Sequence, residues 1–301
     1  MRSRHFSIDG FAEQIRKENN MSYFFDDFNL ELSDLISKLE EYRSDYPETY
    51  EMLDSCCELT DYEDIFSFIV ELAGCEPAIP IQKDVATFME NVLLELAENE
   101  DISRAIRGEA ANELGTLYYD GRIGEKSFDK ATELYEYAAS LGNAHAQENL
   151  GYVWYYGRTG KIDYEMAFNC FIKGALNGRP ISMYKIGDMY KNGYYVKKDP
   201  VQAFNVFNAA QDLMTNDENI YTAWPDVSMR LADCYFEGFG TEQDYAAALT
   251  FYQQAERLYY HRIRNGDYFY RESLKHVIVN EQLCRQKIMI DLPNFEWTES
   301  N

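Results

Sequence analysis

The pattern of apolar and small residues repeats along the second half of the chain. LGTLYYDGRIG begins at Leu114, and LGYVWYYGRTG begins 36 residues later at Leu150. A third copy, around Gly187, keeps the offset of 36 residues, and a fourth follows after a step of 45. The nine extra residues fall in the polar stretch from Thr215 to Pro225, so we expect a longer loop between the third and fourth repeats.

Each repeat is predicted to be a hairpin of two antiparallel helices. Gly115 and Ala131 are small where the helices must cross, and Gly121 supplies the turn after the first helix. An aspartate stands where it can cap the second helix or favour its positive end, at Asp129, Asp163, Asp199 and Asp244. One hairpin cannot bury its apolar face alone, so neighbouring repeats must share one core. The positions that define the repeats are Gly115, Tyr118, Gly121, Ala131, Gly151, Trp154, Gly157, Ala167, Gly187, Tyr190, Gly193, Ala203, Ala232, Tyr235, Gly238 and Ala248.

This pattern resembles the Sel-one-like repeat (SLR) family, a relative of the tetratricopeptide repeats, over about residues 108–262. The family's unit reads roughly A-x-x-x-L-G-x-x-Y-x-x-G-x-G, then D-x-x-K-A and A-A-x-x-G. In the third repeat Tyr195 stands in place of the second turn glycine, so we expect a remodelled turn there. The first repeat matches at Ala110, Leu114, Gly115, Tyr118, Gly121, Gly124, Asp129, Lys130, Ala131, Tyr135, Ala138, Ala139 and Gly142.

The resemblance implies an all-α fold: a right-handed α/α superhelical solenoid of about four helix-hairpin repeats with helical caps at both ends. Apolar residues from Val85 to Leu96 predict the amino-terminal capping helix, and Tyr268 to Ile288 can form the closing helix. The expected divisions are an acidic helical segment at 1–80, a capping helix at 83–107, repeats at 108–143, 144–179, 180–225 and 226–262, and a cap with a tail at 263–301.

Charge is concentrated in the amino-terminal segment. Between residues 21 and 76 there are sixteen Asp or Glu against Lys38 and Arg43, a net charge of −14, yet enough apolar residues remain for two or three short helices. We expect a break near residues 77–82. The whole chain has a net charge of −24. Repulsion on that scale disfavours nucleic acid or an anionic membrane and favours a protein or peptide with basic and apolar residues, although the acid could serve solubility alone.

The six cysteines fall at irregular spacings without a CxxC pair, so neither a zinc site nor a disulfide framework is predicted. Free thiols indicate a reducing compartment. The amino terminus has no apolar run behind its two arginines, and no stretch approaches a membrane span. We therefore expect a cytoplasmic protein of unknown oligomeric state.

In the tetratricopeptide relatives the first helix of each hairpin lines the concave face, and this resemblance implies a binding surface. The alternative is that its tyrosines pack between adjacent first helices. The expected partner-binding positions are Glu109, Asn112, Tyr119, Glu148, Tyr152, Tyr155, Tyr184, Asp188, Met229, Asp233 and Phe236, with Thr116, His145, Ile181, Lys191 and Asp226 beside them.

No catalytic motif is found in the sequence. There is no GxxxxGK[ST] loop, GxGxxG after a strand, HExxH or GxSxG, and the four histidines are His5, His145, His261 and His276. We predict no enzyme activity, no cofactor and no metal. The resemblance implies a scaffold or adaptor that binds a protein segment, and the alternative is an acidic inhibitor or immunity-type protein that blocks a basic enzyme.

Overall fold

The computed structural model describes residues 8–19, 28–54, 59, 61–74, 82–214 and 224–291. In these ranges the secondary structure consists of α-helices and two short 3-10 turns, without a strand. The predicted all-α solenoid of helix hairpins is confirmed. The helices are α1 Ile8–Asn19, α2 Phe28–Leu39, α3 Pro47–Asp54, α4 Tyr62–Gly74, α5 Gln82–Glu98, α6 Arg104–Asp120, α7 Phe128–Ser140, α8 Ala144–Tyr156, α9 Tyr164–Leu176, α10 Pro180–Asn192, α11 Pro200–Met214, α12 Trp224–Glu237, α13 Tyr245–Arg264 and α14 Arg271–Asp291.

The chain divides into two compact units, which we call unit 1, Met1–Asp163, and unit 2, Tyr164–Asn301. Unit 1 holds α1–α8, and unit 2 holds α9–α14. Within unit 1, α6 packs on α7 and α7 on α8. Within unit 2, each helix from α9 to α14 packs on the next one. Successive helices therefore build each unit by local pairing.

Helix α5 is the centre of the amino-terminal half of unit 1. It contacts α1, α2, α4 and α6, and its apolar residues from Val85 to Leu96 are buried. The capping helix was expected to run through residues 83–107, but α5 ends at Glu98. A short turn follows in which the Asp101 amide donates to Asn99 Oδ1 at 3.0 Å. Ser103 then caps α6, so the first repeat helix begins four residues before 108.

The acidic segment forms short helices, as its apolar residues predicted. In the described part, α2, α3 and α4 lie between residues 28 and 74, with α1 ahead of them. Arg16 of α1 forms ion pairs with Glu95 and Glu98 of α5, which ties α1 to the repeat side of unit 1. The expected break near 77–82 lies almost wholly outside the described residues. Most of the loop expected from Thr215 to Pro225 also lies outside them, and its last two residues, Trp224 and Pro225, belong to α12.

Small residues allow the close helix crossings in both units. A Cβ at Gly115 would lie 2.7 Å from Tyr135 Cε1, and a Cβ at Gly187 would meet the Phe207 ring. Ala131 and Ala203 on the second helices are completely buried. Larger side chains at these four positions would force the hairpins apart.

The aspartates expected at the second helices have two different roles. Asp199 accepts a hydrogen bond from the Gln202 amide at 3.0 Å, and Asp244 accepts from the first-turn amides of α13. In α7 the cap is Ser127 instead, and Asp129 lies in the first turn near the positive end of the helix. The aspartates therefore cap α11 and α13, whereas in α7 the capping residue is Ser127, two residues before Asp129.

The turn after α10 is not remodelled in the way that we expected. Tyr195 itself adopts φ 62°, close to the 75° of Gly240 at the matching place in the fourth repeat. Its side chain compensates in part, because the ring lies 5.6 Å from the Phe168 ring and the hydroxyl donates to Glu165 Oε1 at 3.4 Å. A tyrosine therefore occupies a backbone conformation that favours glycine.

The carboxyl-terminal end of unit 2 is closed by α14, which begins at Arg271 rather than at Tyr268. A 3-10 turn, Tyr268–Tyr270, precedes it. The core beneath α14 is formed by residues from three helices. Its completely buried members include Ala232, Tyr252, Tyr259, Val277 and Cys284. Leu283 of α14 lies away from this core and is 37% exposed.

Candidate functional site

The eleven expected partner-binding positions lie on the first helices of the repeats, six in unit 1 and five in unit 2. In unit 1 they are on α6 and α8, and in unit 2 they are on α10 and α12. Their surroundings differ between the two units.

In unit 1, Arg158 joins the ends of α6 and α8. Its Nε donates a hydrogen bond to Tyr119 Oη at 2.8 Å. Its guanidinium carbon lies 5.7 Å from the Tyr119 ring centroid and 5.3 Å from that of Tyr156. The Phe128 ring is a third neighbour, at 5.6 Å from the guanidinium and 5.0 Å from the Tyr119 ring. An arginine among several ring faces gains cation–π attraction and stays in one place.

Three tyrosines of α8 continue this cluster. Tyr152 and Tyr156 are stacked with 5.9 Å between ring centroids and 3° between planes. Tyr155 meets Tyr156 edge to face at 5.0 Å. Tyr156 is 47% exposed, and Tyr119, Tyr152 and Tyr155 are partly exposed. We call Tyr119, Tyr152, Tyr155, Tyr156 and Arg158 the aromatic surface.

The polar positions expected in unit 1 divide into buried and exposed ones. Asn112 is 8% exposed and accepts from Asn149 Nδ2 at 3.0 Å, which links α6 to α8. Glu148 is 5% exposed. Glu109 and His145 are at the surface, with His145 Nδ1 3.9 Å from the Glu109 carboxylate, and Thr116 donates back to the Asn112 carbonyl.

In unit 2 the corresponding positions are bound internally by Arg230. Its Nε and Nη2 donate to the two carboxylate oxygens of Asp188 at 2.6 and 2.7 Å. Its guanidinium also lies 4.4 Å from the ring centroid of Tyr184. Tyr184 and Asp188 are only 6% and 8% exposed. This pair joins α10 to α12 in a bidentate, nearly buried contact.

Asp226 and Met229 are connected to the second helix of their own hairpin. The Tyr259 hydroxyl donates to Asp226 Oδ1 at 3.0 Å and lies 3.7 Å from Met229 Sδ. Burial raises the pKa of Asp226, and the nearby Arg230 guanidinium opposes that rise. Burial also raises the pKa of Tyr259 well above its usual range.

Asp233 connects α12 to both α13 and α14. It accepts from Tyr252 Oη at 2.6 Å and lies 2.8 Å from His276 Nε2. The hydrogen bond to Asp233 raises the pKa of His276, because the carboxylate stabilises the imidazolium. Phe236 packs edge to face on Tyr245 and Tyr252. Ile181 packs on the α10–α12 core, and Lys191 lies 5.7 Å from the Phe239 ring.

The burial of four expected contact residues corrects the sequence-based surface. Asn112, Glu148, Tyr184 and Asp188 are nearly inaccessible, because neighbouring helices cover them. Among them, Tyr184 of α10 packs against Arg230 of α12.

Three residues that contact the expected partner-binding positions were not predicted from the sequence: Arg158, Arg230 and His276. Arg230 lies 42 residues after Asp188, and His276 lies 43 residues after Asp233. The first pair joins α10 to α12, and the second joins α12 to α14. A search for opposite charges at about one repeat's separation would have found the Asp188–Arg230 pair. Arg158 follows the turn glycine Gly157, and no signal in the repeat pattern singles it out.

The side chains of Cys170, Cys234 and Cys284 are buried, and burial raises the pKa of Cys284 to about 11. Within the described ranges, no three His, Cys, Asp or Glu side chains are grouped in a way that could hold a metal ion. None of the helices in those ranges combines the length and apolar character that crossing a bilayer requires.

Comparison with known proteins identifies the repeats. A family model described as Sel1 repeat matches residues 108–143, 144–178, 180–205 and 225–260. Proteins built from this repeat are generally protein–protein interaction scaffolds. A comparison of the sequence with curated proteins finds no match.

Two solved structures are similar in fold. A Sel1 repeat protein from Oxalobacter formigenes is 18% identical, with a TM-score of 0.55 over 90% of this chain and 99% of that one. A protective antigen of uropathogenic Escherichia coli strains, described as displaying an SLR fold, is 19% identical with a TM-score of 0.49 over 81% of this chain. This chain covers 54% of the antigen's length.

Proposed function

The chain carries four Sel1 repeats between residues 108 and 260, and from that premise we propose that it is a non-catalytic scaffold that binds a protein or peptide segment through the aromatic surface of unit 1. The observation that supports this proposal is the contrast between exposed rings on α8 and internally bound groups on α10 and α12. The accessible contact residues are Tyr119, Tyr152, Tyr155, Tyr156 and Arg158.

The aromatic surface has the physical properties of a contact region. Tyrosine offers a large apolar area with few rotatable bonds, so little side-chain entropy is lost on binding. Stacking between Tyr152 and Tyr156 and the hydrogen bond from Arg158 to Tyr119 reduce that loss further, because the rings are already ordered. A partner with apolar side chains would gain contact area there at small cost.

The negative charge of the chain favours a partner that carries basic residues. The net charge is −24, and the side chain of Glu109, near the start of α6, is 45% exposed. Lysine or arginine beside the apolar residues of a partner would be attracted to this chain and would associate faster at low salt. The buried free thiols of Cys234 and Cys284 accord with the reducing cytoplasm that we propose as its compartment.

The experiment that tests this function is quantitative capture from native lysate with mass spectrometry. Wild type is compared with Tyr152→Ala/Tyr156→Ala, which removes two rings from the aromatic surface. Tyr260→Ala is the matched control, because Tyr260 is 53% exposed on α13 in unit 2. Thermal unfolding of all three proteins establishes that each is folded before capture is compared.

We expect proteins enriched by wild type and by the control to be lost with the double variant, and their capture to weaken as salt is raised. Equal capture by all three proteins would show that the aromatic surface does not bind them. If the captured protein is a basic enzyme whose activity falls on binding, the inhibitor alternative describes the function better than the scaffold does.

A further inference from the structure

The acidic segment at residues 21–76 has a net charge of −14, whereas residues 257–291 contain seven Lys or Arg against four Asp or Glu. We propose that the basic, aromatic turn before α14 of one copy docks into an acidic groove between α2 and α5 of a second copy, so that the chain associates with itself head to tail.

The docking element is the 3-10 turn Tyr268–Tyr270, which we call the aromatic turn. Phe269 is 90% exposed, the most exposed large apolar side chain in the described residues, and Tyr268 is 59% exposed. The Arg271 guanidinium lies 4.5 Å from the Tyr268 ring centroid. An apolar tip with a cation beside it fits an apolar groove that has an acidic edge.

The base of the aromatic turn is firmly held. Tyr270 packs on the completely buried Tyr259 with 5.4 Å between ring centroids. The Arg262 guanidinium stacks on Tyr270 at 4.4 Å and forms an ion pair with Asp267 at 2.7 Å. Because Phe269 projects from an ordered turn, docking it would cost little conformational entropy. Its exposure is therefore a fixed feature of unit 2.

The receiving groove lies between α2 and α5 in unit 1 and has a volume of about 750 Å³. Leu30 at its edge is 69% exposed, and the buried Leu35 and Phe88 form part of its wall. A groove of this volume is in the range that holds small organic ligands, so it has room for a phenyl ring and its neighbours. Burying an exposed aromatic ring together with Leu30 would remove apolar area of both copies from water.

The edge of the groove carries the complementary charge. Glu31, Asp34 and Asp84 line it, and Lys38 bridges Asp34 and Asp84 at 2.9 and 2.8 Å. Lys83 is the other cation in the lining. Three carboxylates against two lysines, within a segment of net charge −14, attract the arginines around the aromatic turn.

A second copy is the occupant that the charges favour, because every copy carries both surfaces and they are complementary to each other. The two surfaces differ, so the contact is heterologous and leaves a free turn at one end and a free groove at the other. Further copies can add until the chain of molecules closes or stops. The net charge of −24 opposes association at low salt, and physiological salt screens that repulsion beyond roughly 8 Å while leaving the direct contact.

Sedimentation velocity at physiological salt tests this proposal with two variants of the full chain. The turn variant, Phe269→Ala/Arg271→Glu, keeps the groove. The groove variant, Leu30→Lys/Glu31→Lys, keeps the turn. Leu176→Lys is the matched control, since Leu176 is 81% exposed on α9 and belongs to neither surface.

We expect wild type and the control to grow beyond a dimer as concentration rises, and each double variant to remain a monomer. Mixed in equal amounts, the two variants should form a 1:1 dimer and nothing larger, because one intact turn meets one intact groove. Phe269→Ala alone should weaken wild-type association at least about tenfold, the loss expected for a central aromatic contact. It serves as the test if a double variant fails to fold.

A wild-type protein that stays monomeric at all concentrations would overturn the proposal. So would a mixture of folded variants that stays monomeric, or a groove variant that still dimerises with itself, which would indicate a symmetric contact. Loss of association in Leu176→Lys would also overturn it, by placing the contact elsewhere.

Discussion

Arg158 in unit 1 and Arg230 in unit 2 both lie against aromatic rings of first-helix residues, yet they serve different purposes. Arg158 is exposed and holds rings that remain at the surface. Arg230 is nearly buried and holds Asp188 and Tyr184 inside the fold. First-helix residues can therefore remain at the surface or become packing contacts, depending on what the next first helix supplies.

In unit 2, Arg230 of α12 is the main reason that the first-helix residues are bound internally. Arg230 neutralises Asp188 and covers Tyr184, and α14 supplies His276 for Asp233. The acidic and aromatic positions of unit 2 that the sequence placed on one surface, such as Tyr184, Asp188 and Asp233, thus make internal contacts. In unit 1, Tyr119, Tyr152, Tyr155 and Tyr156 remain at least partly exposed.

Arg230→Ala should have the largest effect. It leaves the Asp188 carboxylate buried without its cation, and breaking such a pair costs about 3–5 kcal/mol of unfolding free energy. Arg158→Ala is the matched change in unit 1 and should cost less than about 1 kcal/mol, because its contacts are exposed. Denaturant unfolding of both variants measures the two costs. Equal costs would remove the distinction between the two arginines.

Replacing both members of the buried pair sharpens this prediction. Asp188→Leu/Arg230→Met should recover part of the stability lost in Arg230→Ala, because Asp188 no longer remains as a buried charge without a cation, although Asp226 still loses its contact with Arg230 at 3.7 Å. A double variant as unstable as the single one would indicate that Arg230 acts through Tyr184 or Asp226 rather than through Asp188.

Tyr184→Ala should have the next largest effect, a loss of about 3 kcal/mol from a buried ring. Tyr156→Ala should cost less than about 1 kcal/mol, since nearly half of Tyr156 is already exposed. Partner capture should show the reverse order, with a loss for Tyr156→Ala and none for Tyr184→Ala at a temperature where it is folded. Loss of capture only in Tyr184→Ala would move the binding site to unit 2.

The His276–Asp233 contact should give a smaller effect that depends on pH. The pKa of His276 is raised in the folded state, so its contribution is fully present below its unfolded pKa of about 6.5. That contribution is lost as pH rises through the folded pKa. Because the side chain of His276 is 45% exposed, we expect at most about 1 kcal/mol.

Unfolding free energy measured against pH for wild type and His276→Gln tests this sign. The difference between them should favour wild type at low pH and shrink as pH rises. Tyr252, Lys191 and Glu237 also surround Asp233 or His276, and they are unchanged in the variant. A difference that grows with pH would contradict the assigned pairing.

Tyr195→Gly should have the smallest effect. Glycine relieves the positive φ of 62°, and the gain of up to about 1 kcal/mol is partly offset by losing the ring contact with Phe168. Capture should not change, because Tyr195 is an exposed aromatic of unit 2 outside the aromatic surface. Loss of capture would add this turn to the binding region.

Much of the fold could be predicted from the sequence, because the repeat places small residues at helix crossings. Gly115 and Gly187 leave no room for a Cβ, so their spacing alone indicated the hairpins. The turn glycines and the caps Asp199 and Asp244 were found in the same way. Spacing could not show that Ser127 replaces Asp129 as a cap, since both residues favour the start of a helix.

The site could be predicted less well, because the repeat rule fixes which helix face a residue occupies and not what lies against it. The rule selected both Tyr152, one residue after the crossing Gly151, and Tyr184, three residues before the crossing Gly187. Tyr152 stacks on Tyr156 at the surface, whereas Tyr184 is covered by Arg230. The burial of Tyr184 depends on its contact with Arg230, which lies 46 residues later in the sequence. The insertion between the third and fourth repeats increases that separation.

Hydrogen–deuterium exchange with and without a captured partner tests the central claim most directly. The account predicts that the partner slows exchange at the carboxyl-terminal ends of α6 and α8 and in the turn at Arg158, while α10 and α12 exchange as in the free protein. Protection confined to α10 and α12, with α8 unchanged, would contradict it.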